Sequence, residues 1–150
     1  MIATSVAYGI VFVVHILAAV AILIVFVTMR FAALSVARGA DAATQALRFP
    51  QRRNWAARLL HVVPITGLIM SLSGNSSVAL SKPWIGVGIL CYVLAAGHLE
   101  ARVLPQERKI ASTIARDGMA SKAQGQKMVR SVDVLLGLIA IAFIAMLVQF

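Results

Sequence analysis

The first charged side chain in the chain is Arg30. The stretch before it exceeds the ~20 apolar residues that a helix needs to cross roughly 30 Å of bilayer hydrocarbon. Three further apolar runs follow, with their charges, Arg58, Glu100 and Asp133, near one end of each. Hydrophobic residues make up 61% of the 150-residue chain and charged residues 13%. A soluble domain this small leaves too much surface in water to hide so much apolar side chain. The sequence therefore predicts an all-α integral membrane protein. Its single domain is a four-helix transmembrane bundle, with spans at about 7–29, 55–72, 84–101 and 132–150. Helices are expected because lipid offers stray backbone groups no partner, and no run alternates like a barrel strand. The first run is far longer than a secretory signal core and has no basic start, so it reads as a retained helix.

Charge sets the orientation. Net charge is +9, and the basic residues sit between apolar runs, so anionic lipid is the expected partner and nucleic acid is not. Arg30, Arg38, Arg48, Arg52, Arg53 and Arg58 flank the first connection. Arg102, Arg108, Lys109, Arg116, Lys122, Lys127 and Arg130 accompany the third, while the second carries only Lys82. Basic residues of short loops stay in the cytoplasm. Connections 30–54 and 102–131 are thus predicted to be cytoplasmic, with both termini outside. Trp55 and Trp84 are then expected at opposite interfaces. Asn75-Ser76-Ser77, in a polar outer turn, matches the N-glycosylation pattern by residue type alone. Within the connections, Ile110 and Ile114 at a spacing of four predict a helix that stops near Gly118. A shorter helix is expected over 41–47. Ala37-Arg38-Gly39 and Ala115-Arg116-Asp117-Gly118 form a faint internal echo.

Ionisable groups inside a membrane are costly and are functional candidates for that reason. One histidine falls in each of the first three spans: His15, His61 and His98. His61 and His98 share a depth near the basic ends of their spans, which makes them candidate ligands for haem b or a metal. His15 lies about 22 Å from Arg30 at 1.5 Å per residue and does not join them. The alternative role for all three is interhelical hydrogen bonding. Arg58, Glu100, Arg102 and Asp133 form a polar set at the same ends, with Arg58 and Arg102 expected to pair with Asp133 and Glu100. Pro64 is expected to bend span two. Cys91 reads as a small buried residue. No catalytic serine or cysteine constellation, nucleotide fingerprint or zinc-protease motif is present.

Val14-His15-Ile16-Leu17-Ala18-Ala19, Gly67-Leu68, Pro83-Trp84, Tyr92-Val93-Leu94-Ala95-Ala96-Gly97 and Leu104-Pro105 occur in an order that covers most of the chain. In this order the chain resembles a bacterial family of small four-span membrane proteins, domain of unknown function 2269. That family is similar in layout to the copper-resistance protein D group and to the small membrane protoporphyrinogen oxidases, which also carry a first-span histidine, here His15. Span one lacks the lysine and following histidine cluster of the oxidases. The resemblance implies a four-helix bundle in a bacterial inner membrane. The expected function is a non-enzymatic accessory subunit of a larger transport or respiratory complex, bound to other membrane subunits. The alternatives are a haem- or metal-binding redox protein using His61 and His98, and a small transporter gated by the polar set.

Overall fold

The computed structural model describes residues 2–51, 53–73 and 80–149. Among the described residues, six α-helices order the chain: Ile2–Arg38 (α1), Ala42–Arg48 (α2), Val62–Leu72 (α3), Pro83–His98 (α4), Leu104–Asp117 (α5) and Lys122–Val148 (α6). A 3-10 segment, Ala56–His61, leads into α3, and a π-helical segment, Leu99–Val103, joins α4 to α5. Among the described residues there is no strand. Arg52, Gly74, the Asn75-Ser76-Ser77 pattern and Phe150 lie outside the described residues.

Among the described residues, three helices are long and apolar enough to cross a membrane: Val6–Arg38, the continuous Pro83–Asp117, and Lys122–Val148. The second expected span, Ala56–Leu72, is shorter. Its 3-10 portion rises about 2.0 Å per residue against 1.5 Å for the α portion, which stretches the whole to roughly 28 Å. Large apolar side chains along the outer faces, such as Ile10, Leu17, Ile69, Leu90 and Ile144, are exposed, as lipid-facing positions are.

The helices outrun the expected spans at the basic end. α1 continues past Met29 to Arg38, and α6 begins at Lys122 rather than near Val132. The expected 102–131 connection is almost wholly helical, and the true reversal is confined to 118–121. Charge marks where a helix leaves an apolar environment; it does not break the backbone. Ile110, Ala111 and Ile114 keep one face of α5 buried after the composition has turned basic. The expected helix over 41–47 is α2, with Asp41 as its N-cap. The Thr44 N–H and hydroxyl both donate to the Asp41 carboxylate, at 2.8 and 2.9 Å, and hold its pKa below the ordinary value.

Both internal prolines are prepared by a change of helix type. A proline within a helix lacks the N–H for the bond to residue i−4 and crowds that carbonyl. The 3-10 segment ends shortly before Pro64, and the π segment ends at Val103, two residues before Pro105. In each case the preceding turn is rewound, so the proline falls in the first turn of the next α-helix, where its missing donor is tolerated.

α6 packs against both α1 and α4, and α1 carries α3 on another side. The most completely buried side chains include Phe26, Val36, Leu99, Val103, Ile110, Met128, Val132 and Leu135, most of them toward the basic end. There α1 and α6 come into backbone contact. A Cβ added at Gly125 would strike the Ala37 backbone and lie 2.9 Å from the Val36 carbonyl carbon.

The echoed glycines both close their helices from the left-handed region, Gly118 through a single bond from its N–H to Ile114 O and Gly39 through a pair. Gly39 and Gly118 have φ of +80° and +81°, which favours glycine. Gly39 N–H bonds Val36 O and Ala40 N–H bonds Ser35 O, the paired bonds of a Schellman end. Asp41 and Ser121 then cap the helices that follow, Ser121 within a reciprocal capping box with Gln124.

Gly125→Ala forces backbone off backbone, so it is expected to cost about 1–3 kcal/mol. Thermal unfolding in detergent should show a midpoint several degrees lower, and Gly125→Leu should be worse. Unchanged midpoints would contradict the close α1–α6 contact.

Candidate functional site

The polar residues collect where the apolar bundle meets the basic end. Two ion pairs cross between elements there. Arg58 in the 3-10 segment forks onto Glu100 in the π segment, Nε to Oε1 at 3.0 Å and Nη2 to Oε2 at 3.3 Å. Arg30 of α1 meets Asp133 of α6 through Nε and Oδ1. Of the expected set, Arg58 and Glu100 pair with each other, whereas Asp133 takes Arg30 rather than Arg58 or Arg102. Arg102 is exposed and makes no ion pair among the described residues. Arg30 ends the charge-free part of span one and Asp133 is the last charge before the apolar run of span four. Matching first and last charges by depth would have found this pair.

Each histidine has a partner on another helix. His15 is buried against α3, with Nδ1 at 2.9 Å from Thr66 Oγ1 and 3.0 Å from Val63 O. Gly67 makes room for it, since a Cβ there would approach His15 Cε1 at 3.4 Å. His61 Nδ1 lies 2.9 Å from the Tyr92 hydroxyl, with the two rings edge to face. His98 donates from Nε2 to the Ser131 carbonyl at 2.9 Å. Tyr92 and His98 are six residues apart on α4, which turns them about 120° from one another around the helix. Two axial ligands must address one iron from opposite sides. Ligation of a single haem by both rings would require His61 and His98 to leave the partners they hold. Among the described residues no group of three or more His, Cys, Asp or Glu side chains is placed to hold a metal.

Amide and hydroxyl side chains stitch the basic end together. Gln45 is fully buried. Its Nε2 donates to Ala40 O and its Oε1 accepts from Ala120 N–H, both at 2.9 Å. One side chain thus ties the turn after α1 to the turn after α5. Gln106 and Ser131 bond each other, Gln124 donates to Thr113, and Gln51 donates to Ala111 O. Asn54 caps the 3-10 segment at Ala57 N–H and donates to Glu107 Oε1 at 2.9 Å. Sequence reasoning missed Gln45, Asn54, Tyr92 and Ser131. Such neutral side chains carry no positional signal until the fold sets them opposite a partner.

Beside Asn54 a depression of about 340 Å³ opens to the surface, lined among others by Arg53, Arg58, Leu104, Glu107 and Arg108. Arg53 and Arg58 both lie against the Trp55 ring, at 5.4 and 5.1 Å from its centroid. Trp55 is exposed, as expected of an interfacial ring, whereas Trp84 at the other end is buried beside Ile85 and Ala145.

No protein-family model, curated protein or solved structure matches the chain.

The purified protein is expected to be colourless in the Soret region. His61→Ala and His98→Ala should each cost little, since interhelical hydrogen bonds in membranes average about 0.6 kcal/mol. A stoichiometric haem spectrum lost in both variants would show ligation instead. Gln45→Leu strands a buried carbonyl and a buried N–H. It should lower stability by about 1–3 kcal/mol, measurable by denaturant unfolding in detergent.

Proposed function

We propose that the chain is a non-enzymatic accessory subunit of a larger inner-membrane transport or respiratory complex. It crosses the bacterial inner membrane as a four-helix bundle, with both termini outside and the basic end in the cytoplasm. The motif order shared with the four-span bacterial family supports this placement, as does the excess of basic residues at one end.

The observation that carries the proposal is the construction of that end. Twelve of the fourteen basic residues fall in 30–54 and 102–131, with three of the five acidic ones. The structure gives these segments fixed helices, two glycine-closed turns and a buried glutamine clasp. A solvated loop that served only to set topology would need none of this. Exposed cations held on a rigid frame suit a fixed partner surface, because less side-chain and loop entropy is lost on docking. Arg116, paired with its neighbour Asp117, and Lys127 are exposed on α5 and α6. They would meet an acidic face of a neighbouring subunit, and complementary charge of this kind steers assembly.

The protein should recover stoichiometric membrane-protein partners when isolated in mild detergent from its native cell. Arg116→Gln combined with Lys127→Gln should reduce that recovery, and raised salt should reduce it in the unaltered protein. Partner recovery that is insensitive to both, or a chain that always isolates alone, would contradict the proposal.

A further inference from the structure

The depression beside Trp55 has features that the docking of a protein partner does not use. It sits where the apolar run beginning at Ala56 meets the basic end. Leu59, in the same 3-10 segment as Arg58, is exposed on the apolar side, and Trp55 stands exposed at the rim. Tryptophan rings favour the headgroup level of a bilayer. The volume, about 340 Å³, falls at the lower end of the roughly 300–1,000 Å³ typical of small-ligand sites.

Its donors suit a phosphate. Arg58 spends Nε and Nη2 on Glu100, which leaves Nη1. Arg108 spends Nε on the Leu104 carbonyl, which leaves both terminal nitrogens. Arg53 rests on the Trp55 ring, and stacking leaves its in-plane N–H groups available. Planar guanidinium forks match the spacing of phosphate oxygens. Two carboxylates temper the charge. Glu100 is held by Arg58 and Glu107 by Asn54. Three guanidinium groups against these two carboxylates leave a single positive charge, which suits a singly charged phosphodiester better than a doubly charged phosphate monoester.

We propose that Arg53, Arg58 and Arg108 form a binding site for the phosphodiester headgroup of an anionic phospholipid, with Trp55 at its rim and the acyl chains passing over Leu59. The site rests on the proposed placement of the basic end at a membrane surface, but it does not depend on any protein partner. The guanidinium groups supply charge and direction, and the apolar side of the site supplies the preference for a lipid over a free anion.

The test uses the full-length protein, without partners, in nanodiscs of mixed phosphatidylglycerol and phosphatidylcholine. Phosphatidylglycerol retained after transfer to detergent is counted by native mass spectrometry. The unaltered chain should keep phosphatidylglycerol in preference to phosphatidylcholine. Arg53→Gln with Arg108→Gln should bind it about thirty-fold more weakly, at roughly five-fold per cation near an anionic surface. Arg116→Gln with Lys127→Gln removes the same charge farther along α5 and α6 and should leave retention unchanged. Arg53→Lys with Arg108→Lys keeps the charge and should recover part of the loss, which separates binding from misfolding. Equal loss from the two Gln pairs, or full retention by the Arg53→Gln, Arg108→Gln protein, would overturn the site. Displacement of the lipid by millimolar inorganic phosphate would identify a free anion as the occupant and would also overturn it. Unaltered protein that retains the lipid but recovers no membrane-protein partner from its native cell would sink the subunit proposal alone.

Discussion

The backbone contact between α1 and α6 at Gly125 is the constraint on which the rest of the structure depends. It brings two long helices together just beyond their apolar stretches, where a side chain of any size on α6 would hold them apart. With the helices this close, Val36, Met128 and Val132 are buried completely. The turns at Gly39 and Gly118 come near enough for one glutamine to bridge them. Within lipid, apolar burial gives helices little reason to associate, and small residues and polar contacts take over. At the basic end water is present and burial again drives packing. Many of the most buried side chains lie toward that end, which explains how an outer, lipid-exposed half can be loosely filled and still belong to one fold.

The junction between the two regimes is a layer of paired polar groups. Arg30 with Asp133 and Arg58 with Glu100 place opposite charges together at partly exposed positions. Pairs of this exposure contribute only about 0–1 kcal/mol in water. Their larger effect is on register, since a helix that slid by a turn would carry an unpaired charge toward hydrocarbon. His61 with Tyr92 and His98 with Ser131 add interhelical hydrogen bonds to the same layer. The π segment that prepares Pro105 also holds Glu100, so the distortion of the helix and the position of the ion pair come from one local feature.

Much of this was legible in the sequence, and what was hidden has physical causes. Period and cap residues announced the helix stopped by Gly118 and the short helix capped by Asp41. Long apolar runs announced four spans, of which three are membrane-length helices among the described residues and the second, Ala56–Leu72, is shorter. The continuity of 83–117 and of 122–148 was not legible, because a change from apolar to basic composition looks like a loop when it records only a change of solvent. Pro64 signalled a distortion, but Pro105, lying in a basic stretch, hid an equivalent one. Among the candidate site residues, charge and depth put Arg58 and Glu100 in one set without matching arginine to carboxylate. They failed for Arg102, whose exposed side chain had no way of announcing that Arg30 would take Asp133. Gln45, the buried side chain that joins the two turns, gave no sign at all.

The central claim is that the basic end is a folded platform on the cytoplasmic side of the membrane. Met119 is exposed in the turn between α5 and α6. The sole native thiol, Cys91, is buried and can be removed as Cys91→Ala. A Met119→Cys variant in that background, treated with a membrane-impermeant maleimide, reads the position of the platform directly. The account predicts no labelling in cells with an intact inner membrane and full labelling in inside-out vesicles. Labelling in intact cells would place the basic end outside and contradict it.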